Sequence, residues 1–137
     1  MPVGSELLPV QSWEDISRDC LQAARLLRDK HPRSSISRAY YAAFSAAVWL
    51  WWRQHGRPVA GLRETPRHGE MPKLLEQLLL KQGKKISRDC RRGMLLLYND
   101  RLTADYQTQR GKTCDPNDAG NALRRAAYIM RSCGVLL

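Results

Sequence analysis

ISRAYYAAFSAAVWLWW, the stretch at residues 36–52, carries most of the information about the fold. Its apolar side chains recur at spacings of three and four, which predicts an α-helix from Ser34 or Ser35 to about Gln54. They form two adjacent stripes, Ile36, Tyr40, Phe44, Ala47 and Trp51 on one and Tyr41, Val48 and Trp52 on the other. An apolar surface that wide predicts a central helix that contacts several partners.

The segment before this stretch has the spacing of another long helix, from Ser12 to Lys30. Ser12 is a favourable N-cap, and the acids Glu14 and Asp15 suit the positive end of a helix dipole. The dipeptide His31-Pro32 predicts the end of this helix.

Two more helices are predicted after a stretch rich in glycine, proline and arginine. Leucines between Leu74 and Leu79 mark a short helix, with Pro72 in its first turn and Gly83 near its end. A longer helix begins near Ser87 and continues to about Tyr106.

A last helix is predicted from an Asp115 N-cap, with Pro116 at the first helical position, to Gly134. No segment of strand length shows convincing alternation of apolar and polar residues. We therefore expect an all-α fold, an antiparallel bundle of four long helices and one short helix. The expected organisation is one domain over residues 1–137, with residues 1–11 flexible and a basic loop at residues 55–69.

The charge indicates the class of partner. Lysine and arginine number 23 against 13 acidic residues, for a net charge of +10, and 17 of the 23 are arginine. A guanidinium donates paired hydrogen bonds to phosphate and stacks on bases, so this surface favours nucleic acid. A solvated basic face and a surface matched to an acidic protein are the alternatives.

Other classes are disfavoured by the sequence. The longest apolar run, Ala42 to Trp52, is shorter than the roughly 20 residues that a membrane helix needs, so we expect no membrane span. Met1 to Gln11 lack a secretory signal, which predicts a cytoplasmic protein. The four cysteines are scattered, with neither a CxxC pair nor a histidine at metal-finger spacing, so we expect neither a metal site nor a cofactor.

Two motifs and one histidine resemble a known family. SRAYYAAF at residues 37–44, His68 before a short helix, and RLTADY at residues 101–106 look like HEPN-domain proteins. They are most similar to the small stand-alone HEPN proteins of prokaryotic defence and toxin–antitoxin loci. The resemblance implies an antiparallel helical bundle, a homodimer formed through the face that carries the arginine motif, and RNA binding or metal-independent RNA cleavage.

The candidate catalytic residues follow from that resemblance. Nuclease members carry an arginine followed, after four to six residues, by a histidine; Arg101 matches the arginine, but Tyr106 stands five residues further on. A phenol is mostly protonated at neutral pH and is a poorer general base than imidazole. The motif is therefore degenerate, with Arg101, Tyr106 and Asp105 as candidates. Arg101 and Asp105, four residues apart, also fit an ion pair on a solvated helix face.

The candidate RNA-binding residues are basic or aromatic and lie on the second helix, in the loop after it, or beside that loop: Arg38, Tyr41, Arg53, Arg57, Arg63, Arg67 and His68. Adjacent tyrosines on a helix point about 100° apart, so we expect Tyr40 in the core and Tyr41 either in the core or along a groove. His68 reaches a shared site only if its loop folds back.

Three functional hypotheses remain open. The first is an RNA-binding HEPN-like protein of a prokaryotic defence or toxin–antitoxin system, and the second is a metal-independent endoribonuclease toxin. The third is a small basic helical subunit of a larger nucleoprotein assembly. Trp49, Trp51 and Trp52 cannot all face one core, which predicts that at least one covers a dimer or partner interface, with an antitoxin among the possible partners.

Overall fold

The computed structural model describes residues 12–56, 65–106 and 114–137, and this part of the chain is helical with no strand. The helices are α1 (Trp13–Leu27), α2 (Pro32–His55), α3 (Met71–Lys81), α4 (Ser87–Tyr106) and α5 (Pro116–Ser132). One turn of 3₁₀ helix, His68–Glu70, leads into α3. The all-α prediction of four long helices and one short helix is confirmed.

Helix α2 lies at the centre of the bundle and contacts α1, α3, α4 and α5. Its inward surface is dominated by small side chains that are fully buried, namely Ala39, Ala42, Ala43, Ala46 and Ala47. Because an alanine adds only one methyl group, the neighbouring helices approach α2 closely on several sides. The prediction of a central helix is confirmed.

Buried serines join α1 to α2. The Ser17 hydroxyl donates to the carbonyl of Ala42, and the Ser35 hydroxyl donates to the carbonyl of Ala24, both at 2.6 Å. A buried hydroxyl costs free energy unless it is paired, and here each one uses a carbonyl of the opposite helix. The four-residue connection between these helices reverses the chain, which makes them antiparallel neighbours.

Two helix ends differ from their predicted positions. α1 ends at Leu27 and not at Lys30, and α2 begins at Pro32, before the predicted start at Ser34 or Ser35. Proline has no N–H to lose in the first helical turn, and its fixed φ angle suits that turn. Pro32 therefore starts α2 as well as ending the segment before it.

The capping predictions are confirmed at both long terminal helices. Ser12 and Asp115 each accept from the backbone N–H three residues later, and the carboxylates of Asp15 and Asp118 accept from the capping residues in return. α2 ends at His55 and is capped by Gly56, whose positive φ of 65° favours glycine and whose N–H donates to the carbonyl of Trp52.

Some predicted features lie outside the described residues. These are the flexible segment at residues 1–11, most of the basic loop with Arg57 and Arg63, and the polar loop at residues 107–113. His55, the first residue assigned to the basic loop, belongs to α2.

The last turn of α4 is fixed by a side chain from α2. The Arg33 guanidinium donates to the carbonyls of Thr103 and Ala104 at 3.2 and 2.9 Å. Carbonyls at the end of a helix lack partners within it and carry partial negative charge, so a cation there stabilises the end. This contact holds Asp105 and Tyr106 beside the first turns of α2.

None of the described helices is both long enough and apolar enough to cross a membrane. The four cysteines are free thiols, with Cys90 and Cys133 buried.

Removal of the α5 cap will destabilise the fold. Asp115→Ala deletes the acceptor for the Asp118 N–H, and we expect the free energy of unfolding to fall by about 1 kcal/mol. Urea denaturation monitored by circular dichroism measures this change. Asp115→Asn keeps a side-chain acceptor and is expected to stay close to the wild type; equal losses in both variants would contradict the capping role.

Candidate functional site

Arg101, on α4, is buried beneath aromatic rings. Arg101 is only 9% exposed. Its guanidinium carbon lies 5.0 Å from the ring centroid of Tyr40 and 5.7 Å from those of Tyr41 and Tyr98. A guanidinium over the face of a tyrosine is attracted by the electron-rich ring. The predicted ion pair between Arg101 and Asp105 is present, but the predicted solvated face is wrong for Arg101, because these rings cover it.

The polar contacts of Arg101 are few. Its Nη1 donates to the Tyr41 hydroxyl at 3.2 Å and lies 3.8 Å from a carboxylate oxygen of Asp105. Its buried Nε has no hydrogen-bond acceptor in the described part of the chain. The cation is held mainly by rings, with Tyr41 as its hydrogen-bond acceptor.

His68 lies against the same tyrosines. Its Nδ1 is 2.7 Å from the Tyr40 hydroxyl, and its ring centroid lies 4.6 Å from that of Phe44 and 5.9 Å from that of Tyr41. The turn that carries His68 thus folds back onto α2, as the hypothesis of a shared site required.

Burial keeps both groups of this pair uncharged. Burial raises the pKa of Tyr40 far above its ordinary value, so its hydroxyl keeps its proton and can donate it to Nδ1 of His68. Burial, and secondly the positive charge of Arg101, lower the pKa of His68. At neutral pH the imidazole is uncharged, and with Nδ1 as acceptor its own proton lies on Nε2.

A partly exposed strip of α2 lies between His68 at one end of this region and Tyr106 at the other. Ser34, Ser37, Arg38 and Tyr41 follow helical spacing on one face, and we call them the α2 strip. Its first three residues line a groove of about 460 Å³ that also includes Asp105 and Tyr106.

A second groove continues from the same strip. Arg38 and Tyr41 line it together with Phe44 and His68, and its volume is about 510 Å³. Trp13 of α1 lies on its other side. Arg38, which is exposed, therefore lies between the two grooves and faces both.

Six of the candidate residues come together here: Arg38, Tyr41, His68, Arg101, Asp105 and Tyr106. Tyr106 is 70% exposed, which leaves its hydroxyl open to solvent or to a ligand. Arg67 is exposed and directly precedes His68. The prediction that Tyr40 belongs to the core is confirmed, since it is fully buried.

Arg53 is not part of this group. It follows Arg38 by fifteen residues on α2, a distance of about 22 Å along the axis. Its guanidinium lies 4.6 Å from the centre of the Trp49 ring, and His55 stacks on Trp51 at 4.1 Å. Trp49, Trp51 and Trp52 are each partly buried against the core, and their use as an interface stays a prediction.

Sequence reasoning missed Tyr98 and Arg33. Tyr98 precedes Arg101 by three residues on α4, a spacing that places their side chains together on a helix and that the sequence already contained. Arg33 lies before the predicted start of α2 at Ser34 or Ser35, and no local pattern indicates its contact with the end of α4.

Within residues 12–56, 65–106 and 114–137, no group of three or more His, Cys, Asp or Glu side chains is arranged to hold a metal ion.

The lowered pKa of His68 predicts a pH-dependent stability. Below about pH 6.5 the His68 side chain takes up a proton in the unfolded state, whereas in the folded state it stays uncharged to a lower pH. The contribution of His68 to the free energy of unfolding is therefore complete above that pH and is lost as the pH falls toward the lower pKa of the folded state. We expect the advantage of the wild type over His68→Gln in unfolding free energy to be larger at about pH 7.5 than at about pH 5.5. Urea denaturation at both pH values tests this, and an advantage independent of pH would contradict it.

A family model described as the HEPN domain matches residues 10–136, which is almost the whole chain. Comparison with curated proteins and with solved structures gives no match. The matched range contains all five helices, the buried Arg101, the α2 strip and His68. The chain therefore belongs to the HEPN domain family.

Proposed function

We propose that this chain binds RNA along the α2 strip, as a HEPN protein of a prokaryotic defence or toxin–antitoxin system whose arginine–histidine motif is degenerate. The observation that carries the proposal is the position of Arg38, an exposed arginine between two grooves, with hydroxyls on one side and aromatic rings on the other. The net charge of +10 and the membership of the HEPN family support it.

Each part of the strip suits one part of an RNA strand. The Arg38 guanidinium can donate two parallel hydrogen bonds to a phosphate, and the hydroxyls of Ser34 and Ser37 can donate to neighbouring oxygens. In the second groove, the rings of Tyr41 and Trp13 offer surfaces on which unpaired bases stack. Arg67 adds positive charge beside the His68 end.

Arg101 lies beneath the α2 strip and positions Tyr41. Aromatic rings cover Arg101, so it cannot reach a phosphate. In this proposal Arg38 makes the phosphate contact that was expected of Arg101. Its hydrogen bond to the Tyr41 hydroxyl fixes that ring at the border between the core and the groove. Tyr106 and Asp105 border the opposite groove, where the Tyr106 hydroxyl can donate to phosphate.

RNA cleavage is the second candidate, and His68 favours it. A histidine beside a groove is a candidate general base for metal-independent cleavage. A general base must take the proton of the 2′-hydroxyl, whereas in our proposal the Tyr40 hydroxyl donates to Nδ1 of His68 and the proton of the imidazole lies on Nε2. That arrangement suits a hydrogen-bond donor to RNA better than a base, so binding is the function we place first.

The homodimer and the cytoplasmic location stay predictions. The protein-partner hypothesis is taken further below.

Arg38→Gln is expected to weaken binding of a labelled single-stranded RNA by about tenfold or more, since it removes a charge-assisted contact. The slope of log affinity against log salt is expected to fall by about one. Fluorescence anisotropy in EDTA over a salt series measures both quantities.

Arg53→Gln is the matched control, because it removes one charge from the same helix about 22 Å away. We expect it to weaken binding much less than Arg38→Gln does. Equal losses in the two variants would indicate general attraction to the whole surface, and absence of binding by the wild type would overturn the proposal.

The same samples, run on a denaturing gel, test cleavage. Intact RNA in the wild type is the result expected of a binding protein. Cleavage in EDTA that disappears in His68→Gln would replace the proposal with the endoribonuclease alternative.

A further inference from the structure

A third groove lies between α4 and α5 and shares no lining residue with the two beside the α2 strip. Its volume is about 320 Å³, and its lining includes Gly93 and Leu96 from α4 and Tyr128 from α5. We call it the α4–α5 groove.

Gly93 forms part of the floor of this groove. It lies within α4, where glycine is the least favourable residue except proline. A Cβ placed there would meet only the Ile129 side chain, at 3.5 Å, which is an ordinary contact. Nothing in the described fold therefore requires glycine at this position, and its absent side chain leaves the α4 backbone accessible from outside.

The walls are apolar. Leu96 and Tyr128 are 36% and 39% exposed. Together they form an uncovered apolar surface on the two helices, which is typical of a contact site when it has a polar rim.

The rim is positive. Arg92 of α4 and Arg124 of α5 line the groove, and Arg124 precedes Tyr128 by four residues. Among the described residues, neither of these two arginines has a carboxylate within ion-pair distance, and Arg124 donates to the side-chain oxygen of Asn121. Two other charged residues line the groove: Asp89, and Arg125, which is paired with Asp100 at 3.1 Å.

We propose that the α4–α5 groove docks an acidic amphipathic helix from a protein partner. A small or aliphatic ridge of that helix approaches the bare backbone at Gly93 and packs on Leu96 and Tyr128. Carboxylates along its edges pair with the arginines of the rim, above all Arg92 and Arg124.

The other occupants fit less well. A second copy of the chain, docked by two-fold symmetry through this groove, would bring Arg92 and Arg124 against another set of the same arginines. An RNA strand would place its solvated sugar–phosphate chain on an aliphatic floor, whereas the α2 strip offers hydroxyls beside Arg38. An acidic helix satisfies both the apolar floor and the positive rim.

Gly93→Ala is expected to change the affinity for the partner helix and the stability of the fold in opposite directions. Alanine fits inside the fold and favours the helix, so we expect the thermal midpoint to rise by roughly 3 °C. The added methyl group occupies the floor, so binding of the partner helix is expected to weaken by about tenfold even though the protein is more stable.

The probe is a synthetic acidic amphipathic helix, with alanine and leucine on one face and glutamate along both edges. Its control is the same peptide with glutamine in place of glutamate. Titration into the isotope-labelled full chain, followed by NMR, is expected to shift the amides of Gly93 and Tyr128. Arg92→Gln is expected to weaken binding of the acidic peptide. Arg25→Gln removes the same charge from α1 and is expected to leave the affinity for that peptide unchanged.

Several results would overturn this inference: no shift at Gly93 and Tyr128, equal binding of the acidic and glutamine peptides, or equal binding by Gly93→Ala. Dimerisation lost in Gly93→Ala, measured by sedimentation velocity, would assign the groove to a second copy. RNA that shifts the same amides would assign it to RNA. We expect the RNA affinity of Gly93→Ala to equal that of the wild type. The test of this inference is therefore independent of the test of the proposed function.

Discussion

The close approach of four helices to α2 is the constraint on which the rest of the structure depends. A helix surrounded in this way requires small side chains, and its buried alanines meet that requirement. Polar groups that enter such an interior must find partners within it, which is why Ser17 and Ser35 use carbonyls across the α1–α2 contact. The polar strip of α2 from Ser34 to Tyr41 borders two grooves, and the candidate site lies there.

The burial of Arg101 costs the fold free energy. Burying a cation costs several kcal/mol unless it is well paired, and its ion pair with Asp105 is long at 3.8 Å while its Nε lacks an acceptor. The three tyrosine faces offset part of this cost, at about 0.5–2 kcal/mol each. In return, the guanidinium fixes Tyr41 through its hydroxyl and helps to keep His68 uncharged. A local energetic conflict of this kind is expected at functional sites more than elsewhere.

The sequence predicts the helices well because their signals are local: side-chain spacing along α2, and caps at Ser12 and Asp115 that involve residues three positions apart. The start of α2 was misplaced because Pro32 was interpreted only as a stop. The site was harder to predict. Arg101 and Asp105 have the spacing of a surface pair, and only the packing of α4 against Tyr40 and Tyr41, about sixty residues earlier in the chain, reveals the burial of Arg101. The position of His68 depends on a chain path that no local pattern encodes.

Nucleic acid and an acidic protein are two of the three interpretations that the positive charge admits, and both assign a role to the same arginines while only their number is known. The structure separates those arginines by their surroundings. Arg38 lies among hydroxyls and aromatic rings, which suit a phosphate chain with unpaired bases. Arg92 and Arg124 border a floor of glycine and leucine, which suits an apolar helix face with carboxylates at its edges. Because the lining residues of the two regions do not overlap, the two proposals are compatible in one chain, with RNA along α2 and a protein partner against α4 and α5.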